Sequence, residues 1–325
     1  MGSEMCIRDS AYTPHSWFRF DIDDTLPQLV VTDAVFIDGY SQSGASENTL
    51  AIGDDANLRI EFTSTAADNK LGFFFSGNSG GSTLQGVAIN EFGSHGVVVD
   101  GGVDDVTIRG NFIGTDVSGT LDAGNGGIGV FTRSNNTLIG GSDDGDRNII
   151  SGNQDHGVLF FHDTVLTGNV IENNYVGVDA TGLVDIGNAG FGVQAAVDFD
   201  GLQIIDNVVS GNQADGIRID GNQVNDATVQ GNLVGVSADG VSGIGNDGSG
   251  FRIVSQSATG IQIGGTAAGE GNVIGANGFA GISVDGLSAS GTVIQGNFIG
   301  TDVSATIDLG NGADGIFLAL SLIHI

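Results

Sequence analysis

The chain has 325 residues, of which 57 are glycine and two are proline, and its 39 acidic and nine basic residues give a formal net charge of −30. An acidic excess of this size repels nucleic acid and anionic membranes, so we expect neither as a partner. A single cysteine, Cys6, excludes internal disulfides and thiolate metal sites. No apolar run approaches the ~18 residues of a membrane span.

Both ends of the chain contain short segments that we interpret as adapter-derived. Residues 5–9 read MCIRD and residues 320–325 read LSLIHI. One short DNA element, read in opposite orientations, encodes both segments. We therefore assign 1–10 and 320–325 to residues encoded by a sequencing adapter and exclude them from the fold. We expect the chain between them to be a fragment of a longer protein.

Residues 11–83 are predicted to form irregular coils of short strands. Residues 40–56 are polar and predict a loop. Strand-like runs rich in apolar and β-branched residues lie at 17–22, 29–31, 35–39, 58–62 and 71–75.

Residues 84–319 are predicted to form a regular repeat. One glycine per repeat opens a G-[IVF]-x-[IVF] segment, at 96, 129, 157, 192, 216, 250, 281 and 315. The intervals between these glycines alternate between long and short and average about 31 residues, a length typical of solenoid units. The first and third residues after each glycine are nearly all apolar, so they point inward from a strand, while the residue between them points outward.

Two columns of asparagine recur with the same period, one beginning at Asn111 and the other at Asn125. We expect the asparagines to turn corners through left-handed backbone and each amide to bond the equivalent amide one coil away. Together the columns predict an all-β solenoid, a single-stranded parallel β-helix whose equivalent residues stack about 4.8 Å apart.

Three segments carry a family resemblance: GNFIGTD at 110–116, which returns at 296–302, RNIISGNQDHGV at 147–158 and VFIDGYSQSGASENTL at 35–50. There the chain resembles the right-handed parallel β-helix repeat proteins of bacteria, which share the coil architecture of pectate-lyase-like enzymes. The resemblance covers roughly residues 25–319. It implies a right-handed helix in a secreted or cell-surface protein, and most members of the family have no established activity.

Aspartates recur in the long loops between repeats. One column holds Asp116, Asp179 and Asp302, and a second holds Asp122, Asp185 and Asp308. Clustered carboxylates suit Ca²⁺, which takes six to eight oxygen ligands. The alternative, which we favour, is that each aspartate caps a tight turn through its own side chain. We expect no required cofactor, with calcium as the one candidate.

Four residues are candidates for acid–base chemistry. His156 in DHG and Arg218 in RID are faintly similar to the GHG and RIK elements of polygalacturonases, and Asp143 and Asp144 are similar to that family's paired aspartates. Glycoside hydrolysis needs two carboxyls about 5–9.5 Å apart. His156 and Arg218 belong to different columns two coils apart, which argues against a hydrolase.

A lyase would need a basic residue near bound calcium. Arg218 and Arg252 form a stacked pair of outward bases on the repeat strand. The alternative is that they pair with Asp220 and neighbouring carboxylates on a solvated face, where such pairs contribute little.

The candidates for ligand binding are outward apolar residues, namely Phe131, Leu159, Phe161 and Phe317, with Arg133 and His162 nearby. Outward aromatic rings stack on sugars, and an exposed apolar patch often marks an interaction site. The alternative is that a long loop covers these residues.

These observations favour a non-enzymatic scaffold or adhesin-like segment of a secreted or cell-surface bacterial protein. We expect a monomer that binds a polysaccharide or a partner protein. The alternative is a polysaccharide lyase or glycoside hydrolase of the pectate-lyase-like type.

Overall fold

A computed structural model describes residues 7–11, 16–23, 26–64, 69–286 and 289–320. The described residues form strands and two 3-10 turns, Gly39–Ser41 and Asp144–Asp146. Of the predicted adapter-derived segments, 1–6 and 321–325 lie outside the described residues. Residues 7–11 form a strand that pairs with Ser16–Asp21, and this is the one antiparallel pair among the described strands.

Three sheets make up the protein, and the chain visits them in the same order in each coil. Sheet 1 comprises Leu29–Asp33, Phe73–Asn78, Val97–Val99, Val130–Thr132, Val158–Phe160, Leu166–Thr167, Val193–Ala195, Phe199–Asp200, Ile217–Asn225, Phe251–Thr259, Ile282–Gly286, Ala289–Ser290 and Ile316–Leu320. Sheet 2 comprises Phe36–Asp38, Thr83–Gln85, Thr107–Arg109, Leu138–Gly140, Val170–Glu172, Gln203–Ile205, Thr228–Gln230, Gln262–Gly264 and Val293–Gln295. Sheet 3 comprises Ile7–Ala11, Ser16–Asp21, Ile60–Thr63, Ala88–Asn90, Phe112–Ile113, Ile149–Ile150, Tyr175–Val176, Val208–Val209, Leu233–Val234, Val273–Ile274 and Phe298–Ile299.

Parallel strands of successive coils pair in register, which confirms the predicted parallel β-helix. Val130, for example, lies between Val97 and Val158 in sheet 1. Strands joined by crossover connections of this kind are right-handed in nearly all proteins, which is the predicted hand. The early strands pair into the same three sheets as the regular repeats.

The core lies inside the coils and consists of the predicted inward columns. The first column of sheet 1 is at most 1% exposed from Val97 to Ile282. The column two residues further on is equally buried and includes Phe160 and Ile219. In the coil that contains Ile316–Leu320 the same positions are exposed, with Ile316 at 44%. The period-2 alternation of apolar residues therefore predicts correctly which side chains of sheet 1 point into the core.

The repeat glycine is required by close packing between coils. A Cβ at Gly129 would lie 2.6 Å from Ile150 Cγ2 and 2.7 Å from the Gly157 carbonyl oxygen, which is far inside van der Waals contact. Its φ is not positive, so this column leaves no room for a side chain and does not itself turn a corner.

The asparagine columns form two buried ladders, as predicted. In the ladder that begins at Asn111, each amide nitrogen donates to the next asparagine's Oδ1, at 2.8–3.1 Å, through Asn148 and on to Asn297. In the ladder from Asn125 to Asn311 the corresponding distances are 2.9–3.0 Å. The ladder residues do not adopt the left-handed backbone predicted for them. Before Asn111 the corner is made by Gly110, with φ of 62°.

The long loops at 114–125, 177–188, 235–246 and 300–311 stack on one another across the intervening short coils. The Ala180 amide donates to the Gly119 carbonyl at 2.8 Å, and Ala238 donates in the same way to Gly182 at 2.9 Å. Beneath them lies a second apolar cluster that includes Phe112. The alternation of long and short intervals therefore builds an outer layer with a two-coil repeat.

The polar segment 42–57, here called the strap, is a loop that folds over this outer layer. Arg147, which is 3% exposed, donates to the carbonyls of Leu50 at 3.0 Å, Ala51 at 3.0 Å and Gly53 at 2.5 Å. The guanidinium carbon lies 4.6 Å from the centre of the Tyr175 ring, a geometry suited to a cation–π contact. One buried arginine thus fastens the strap to the solenoid.

Asp54 of the strap makes stability depend on pH. Its Oδ1 accepts a hydrogen bond from the Ala56 amide at 2.8 Å, whereas its buried Oδ2 has no hydrogen-bond partner within the described residues. Burial raises the pKa of Asp54 to about 6, and the guanidinium of Arg147 opposes the rise.

We expect this carboxyl to lower stability as pH rises. Because the folded state holds its proton more tightly than the unfolded state, stability falls from about pH 4 to pH 6, by at most about 3 kcal/mol. Asp54→Asn keeps the Oδ1 acceptor and removes the charge, so it should raise the Tm at pH ~8 and leave it nearly unchanged at pH ~4. Thermal unfolding at the two pH values checks this, and an equal change at both would contradict it.

Candidate functional site

The outer face of sheet 1 carries one continuous column of outward side chains. Strand register places Phe131, Leu159, Gln194, Arg218, Arg252, Ser283 and Phe317 side by side in that order. The column is apolar at its start, polar in its middle and aromatic at its end. A ligand that runs along the helix axis would meet these groups one coil at a time, about 4.8 Å apart.

His156 and Arg218 face each other across a ring that the sequence analysis did not single out. The His156 and Phe191 ring centres are 4.9 Å apart, and the guanidinium carbon of Arg218 lies 4.9 Å from the centre of Phe191. The two residues do lie two coils apart and in different columns, as predicted, and Phe191 of the coil between them bridges the gap. The three side chains form a stack beside the outward column.

Carboxylates hold Arg218 on the far side of this stack. Its Nε lies 2.7 Å from an Asp220 oxygen, and its Nη1 lies 3.3 Å from an oxygen of Asp215. Gln194 also donates to Asp220, at 2.7 Å. Arg252 is paired in the same manner with Asp285, at 2.8 Å. The outward bases are therefore neutralised by partners of the sheet itself.

His156 is held by a backbone hydrogen bond from the next coil. The Phe191 amide donates to Nδ1 of His156 at 3.0 Å, and the Ile128 amide donates to His95 in the same way at 2.9 Å. Burial lowers the pKa of His156; Asp155 opposes this, and Arg218 adds to it. An imidazole that accepts at Nδ1 is neutral and carries its proton on Nε2. The bond from the Phe191 amide makes His156 a link between two coils.

Replacing His156 with phenylalanine is expected to cost about 1 kcal/mol at neutral pH, the value of one buried hydrogen bond. Because the folded-state pKa is depressed, this stabilisation is complete above the unfolded pKa of about 6.5 and is lost as pH falls. Denaturant unfolding should therefore give a difference between wild type and His156→Phe that shrinks toward pH ~5. A difference that is constant with pH would contradict this role.

Two cavities open beside the outward column, one on each side of Arg218. The first has a volume of about 290 Å³ and is lined by His162, Asp163, Asp198 and Asp220. The second has a volume of about 300 Å³ and is lined by Asp215, Arg252, Phe279, Asp285, Asp314 and Phe317. Asp220 and Asp215, the two partners of Arg218, each line one cavity, so the Arg218 group separates two adjacent subsites.

The predicted binding residues occupy the first part of this face. Phe131 is half-buried and packs against His95 with ring centres 5.5 Å apart, while Phe161 is 46% exposed. Arg133 pairs with Asp100 at 3.4 Å. His162 accepts from the Thr164 amide at 3.0 Å and lines the first cavity. The fifth residue, Leu159, is half-buried in the outward column. Their role in binding stays a prediction.

The predicted aspartate pair lies elsewhere. Asp143 and Asp144 lie between sheets 2 and 3, at the 3-10 turn Asp144–Asp146. The Asp144 carbonyl accepts from Asn48 of the strap at 2.9 Å, and its carboxylate is 3.7 Å from Arg147. No hydrogen bond or ion pair within the described residues joins either aspartate to His156 or Arg218. The structure therefore does not assemble the four acid–base candidates in one place.

The aspartates of the first long-loop column act as turn caps. Oδ1 of Asp116 accepts the amides of Thr120 at 3.2 Å and Leu121 at 3.1 Å. Asp179 and Asp302 make the equivalent bonds in their own loops. The hydroxyl of Ser304 and then the backbone amides of Ile307 and Thr306 lower the pKa of Asp302 to about 2.

In the second column, Asp122, Asp185 and Asp308 each accept the amide two residues on, at 2.9–3.0 Å. No group of three or more histidine, cysteine or acidic side chains in the described part of the chain is arranged to hold a metal ion. Each aspartate of this column thus engages its own loop through Oδ1. Calcium binding stays a prediction that needs measurement.

Sequence reasoning singled out Arg252 and Phe317 of the second cavity and missed three others that shape it. Phe279 is 65% exposed and lies in a turn outside the period-2 segments. Asp285 and Asp314 resembled the many other acidic residues of the chain. No local pattern marks these residues, because they meet only when three coils are stacked.

No helix in the described ranges is long and apolar enough to cross a membrane.

The fold and this face define the class: a parallel β-helix with an open, cavity-lined sheet. Neither a family model nor a curated protein matches the chain. Among solved structures it is similar to the A-module of Azotobacter vinelandii mannuronan C-5 epimerase AlgE6, with a TM-score of 0.44 and 15% identity over 94% of this chain and 85% of that one. It is also similar to the A-module of mannuronan C-5 epimerase AlgE4, with a TM-score of 0.36 and 14% identity over 94% of this chain and 87% of that one. For the Dettilon tailspike protein the TM-score is 0.36 and the identity 18%, over 93% of this chain and 61% of that one. These likenesses are of fold alone.

Proposed function

We propose that the outer face of sheet 1 binds an extended polysaccharide and that the protein is a non-enzymatic scaffold or adhesin-like segment. The observation that carries this proposal is the pair of adjacent cavities along a single outward column, with exposed Phe279 and Phe317 at the second of them. Aromatic rings offer sugars a flat apolar surface, and binding sites are concave with a few convergent polar groups.

The state of the polar groups supports binding without catalysis. Arg218 and Arg252 each have carboxylate partners, and Nδ1 of His156 accepts a backbone amide. A lyase needs a base that is free to take a proton. In general acid–base catalysis that base must also lie within hydrogen-bond reach of the substrate. Secretion or display at a bacterial cell surface is part of the same proposal.

A polysaccharide array with and without Ca²⁺, scored for both retention and product release, tests the proposal. We expect retention without unsaturated or reducing ends, unchanged by a chelator. Phe317→Ala should weaken retention by about tenfold, the effect of one stacking platform. Phe36→Ala is the matched control, because Phe36 is also an exposed phenylalanine, at 62%, but lies on sheet 2, away from the proposed binding face.

The competing candidate is a polysaccharide lyase or glycoside hydrolase on the same face. Release of new ends that disappears in the His156→Phe or Arg218→Gln variant would establish the enzyme and overturn the scaffold. Equal retention by the Phe317→Ala and Phe36→Ala variants would place binding on another surface.

A further inference from the structure

The stacked long loops carry a row of exposed aliphatic side chains. Four of them, here called the loop ridge, are 38–64% exposed: Leu121, Leu183, Val184 and Val241. They come from the three loops 114–125, 177–188 and 235–246, which have further coils on both sides. Their exposure therefore does not arise at an end of the solenoid.

Hydrogen bonds hold the ridge residues in place. In each loop an aspartate cap accepts the amide of a ridge residue at 3.1 Å, in the pairs Leu121–Asp116, Val184–Asp179 and Val241–Asp239. Neighbouring loops are also bonded to each other through the amides of Ala180 and Ala238. Because the backbone of these residues is fixed before binding, little ordering of the loops is needed when a partner binds.

Exposed carboxylates accompany the ridge in each loop. Three aspartates are exposed within two residues of a ridge residue, namely Asp122, Asp185 and Asp239. The three loops contain no lysine, arginine or histidine. The ridge is thus an aliphatic row with acidic neighbours and no basic residue of its own loops beside it.

The strap borders the ridge and has the same character. The Asp54 amide of the strap donates to the Ala180 carbonyl of the second loop at 2.6 Å. Leu50 and Ile52 of the strap are exposed aliphatic residues. Residues 42–57 contain three acidic side chains and no basic one. The strap therefore continues the apolar and acidic surface beyond the loops.

This chemistry excludes several classes of partner. The carboxylates repel nucleic acid and anionic membranes, and a second copy of the chain would bring like charges together across the contact. The three loops contain no aromatic ring on which a sugar could stack. A protein segment with both aliphatic and basic side chains complements the ridge in shape and in charge.

The spacing of the loops indicates that this segment is helical. Equivalent residues of successive long loops are two coils apart, roughly 10 Å. In an α-helix, residues seven apart lie on one face and are about 10.5 Å apart. In a β-strand, residues on one face are separated by multiples of about 6.7 Å, which does not match the spacing of the loops.

We propose that the loop ridge binds an amphipathic helix of a partner protein, with aliphatic residues that repeat every seven positions and Lys or Arg beside them. The aliphatic side chains of the helix pack on the ridge, and its basic side chains meet the three exposed aspartates. The ridge belongs to the layer above Phe112 of sheet 3, so this site is separate from the polysaccharide face proposed on sheet 1.

Calorimetric titration of the whole protein with two synthetic peptides of identical composition tests the proposal. Both contain leucine, lysine and alanine and are about 18 residues long, enough for a helix to span the roughly 20 Å from the first loop to the third. In the first peptide the leucines form one face with a seven-residue repeat, and in the second they are spread around the helix. We expect the first to bind about tenfold more tightly, because only its leucines reach the ridge together.

Two pairs of variants locate the contact. Val184→Ser should weaken binding of the first peptide about threefold, whereas Val165→Ser should not, because Val165 is similarly exposed, at 45%, but lies outside the loops. Asp185→Asn keeps the oxygen that caps its turn and should weaken binding about twofold at low ionic strength. Asp200→Asn is its control, because Asp200 is exposed on sheet 1.

The other outcomes overturn the proposal. Equal affinity for the two peptides would mean that charge alone attracts them, and equal losses in Val184→Ser and Val165→Ser would place the contact elsewhere. Binding of neither peptide by protein with an unchanged Tm would contradict the proposal directly. Sedimentation of the protein alone covers the remaining occupant: a dimer that Val184→Ser dissociates would assign the ridge to a second copy. None of these results bears on polysaccharide binding at sheet 1.

Discussion

Replacing Asn212 with alanine is expected to lower the free energy of unfolding by about 3–5 kcal/mol, as several buried hydrogen bonds would be lost. Its amide nitrogen donates to Asn246 at 2.9 Å and to the Val176 carbonyl at 3.1 Å. Its Oδ1 accepts from the amide of Asn188 at 2.9 Å. Alanine removes these partners and leaves the polar groups on both neighbouring coils buried and unpaired, which costs more than the bonds themselves contribute.

Denaturant unfolding measures this loss, and Asn311→Ala provides the matched control. Asn311 belongs to the same ladder but is half-buried, with its amide donating to Ile274 at 3.2 Å. Water replaces lost partners at such a position, so the control should lose far less. Equal losses at Asn212 and Asn311 would mean that the ladder has no special energetic weight in the interior.

The second large effect is expected at Arg147, where methionine should release the strap and lower stability by about 3 kcal/mol. The reason is that Arg147 donates to the carbonyls of Leu50, Ala51 and Gly53. The Leu50 carbonyl keeps a second donor in Asn48, whereas those of Ala51 and Gly53 lose the donor that Arg147 gives them. Methionine preserves the apolar stem and removes the guanidinium, including its cation–π contact with Tyr175.

Hydrogen exchange of the strap, residues 42–57, measures this release directly. Protection there should fall sharply in Arg147→Met while the sheets retain theirs. Arg109→Met is the matched control, because Arg109 is a half-buried arginine, far more accessible than Arg147, that pairs with Asp146 at 3.0 Å, and ion pairs near the surface contribute little. Loss of protection throughout the solenoid, with none confined to the strap, would contradict the anchoring role.

The sequence predicted the inside of the solenoid well, because stacking demands the same residue class at the same place in every coil. Val130 and Val158 could be assigned to one buried column from spacing alone, and the amides of Asn111 and Asn148 could be paired in the same way. The physical roles of the repeat glycines and of the corner residues were harder to predict from the sequence. The repeat glycine is needed because the next coil packs too closely for a side chain, as at Gly129. The corners are made by residues beside the asparagines, such as Gly110.

The outer layer was much less predictable. Arg147 binds carbonyls nearly a hundred residues earlier in the chain, and a carbonyl leaves no mark on the sequence. Phe191 joins His156 to Arg218 only because an intervening coil places a ring between them. Contacts of this kind depend on the lengths of several loops at once, whereas the inward columns depend on one period.

The register of adjacent coils is the central claim, and disulfide formation tests it most directly. In a Cys6→Ser background, Leu159→Cys combined with Gln194→Cys places two thiols on neighbouring strands that are paired in register. Their Cα atoms are then about 4.8 Å apart, within the range that a disulfide spans. Leu159→Cys combined with Arg218→Cys is two coils apart, roughly 10 Å, and is beyond that range. We predict that mild oxidation links the first pair and not the second; linkage of the second pair in place of the first would contradict the stacking on which every assignment of inside and outside depends.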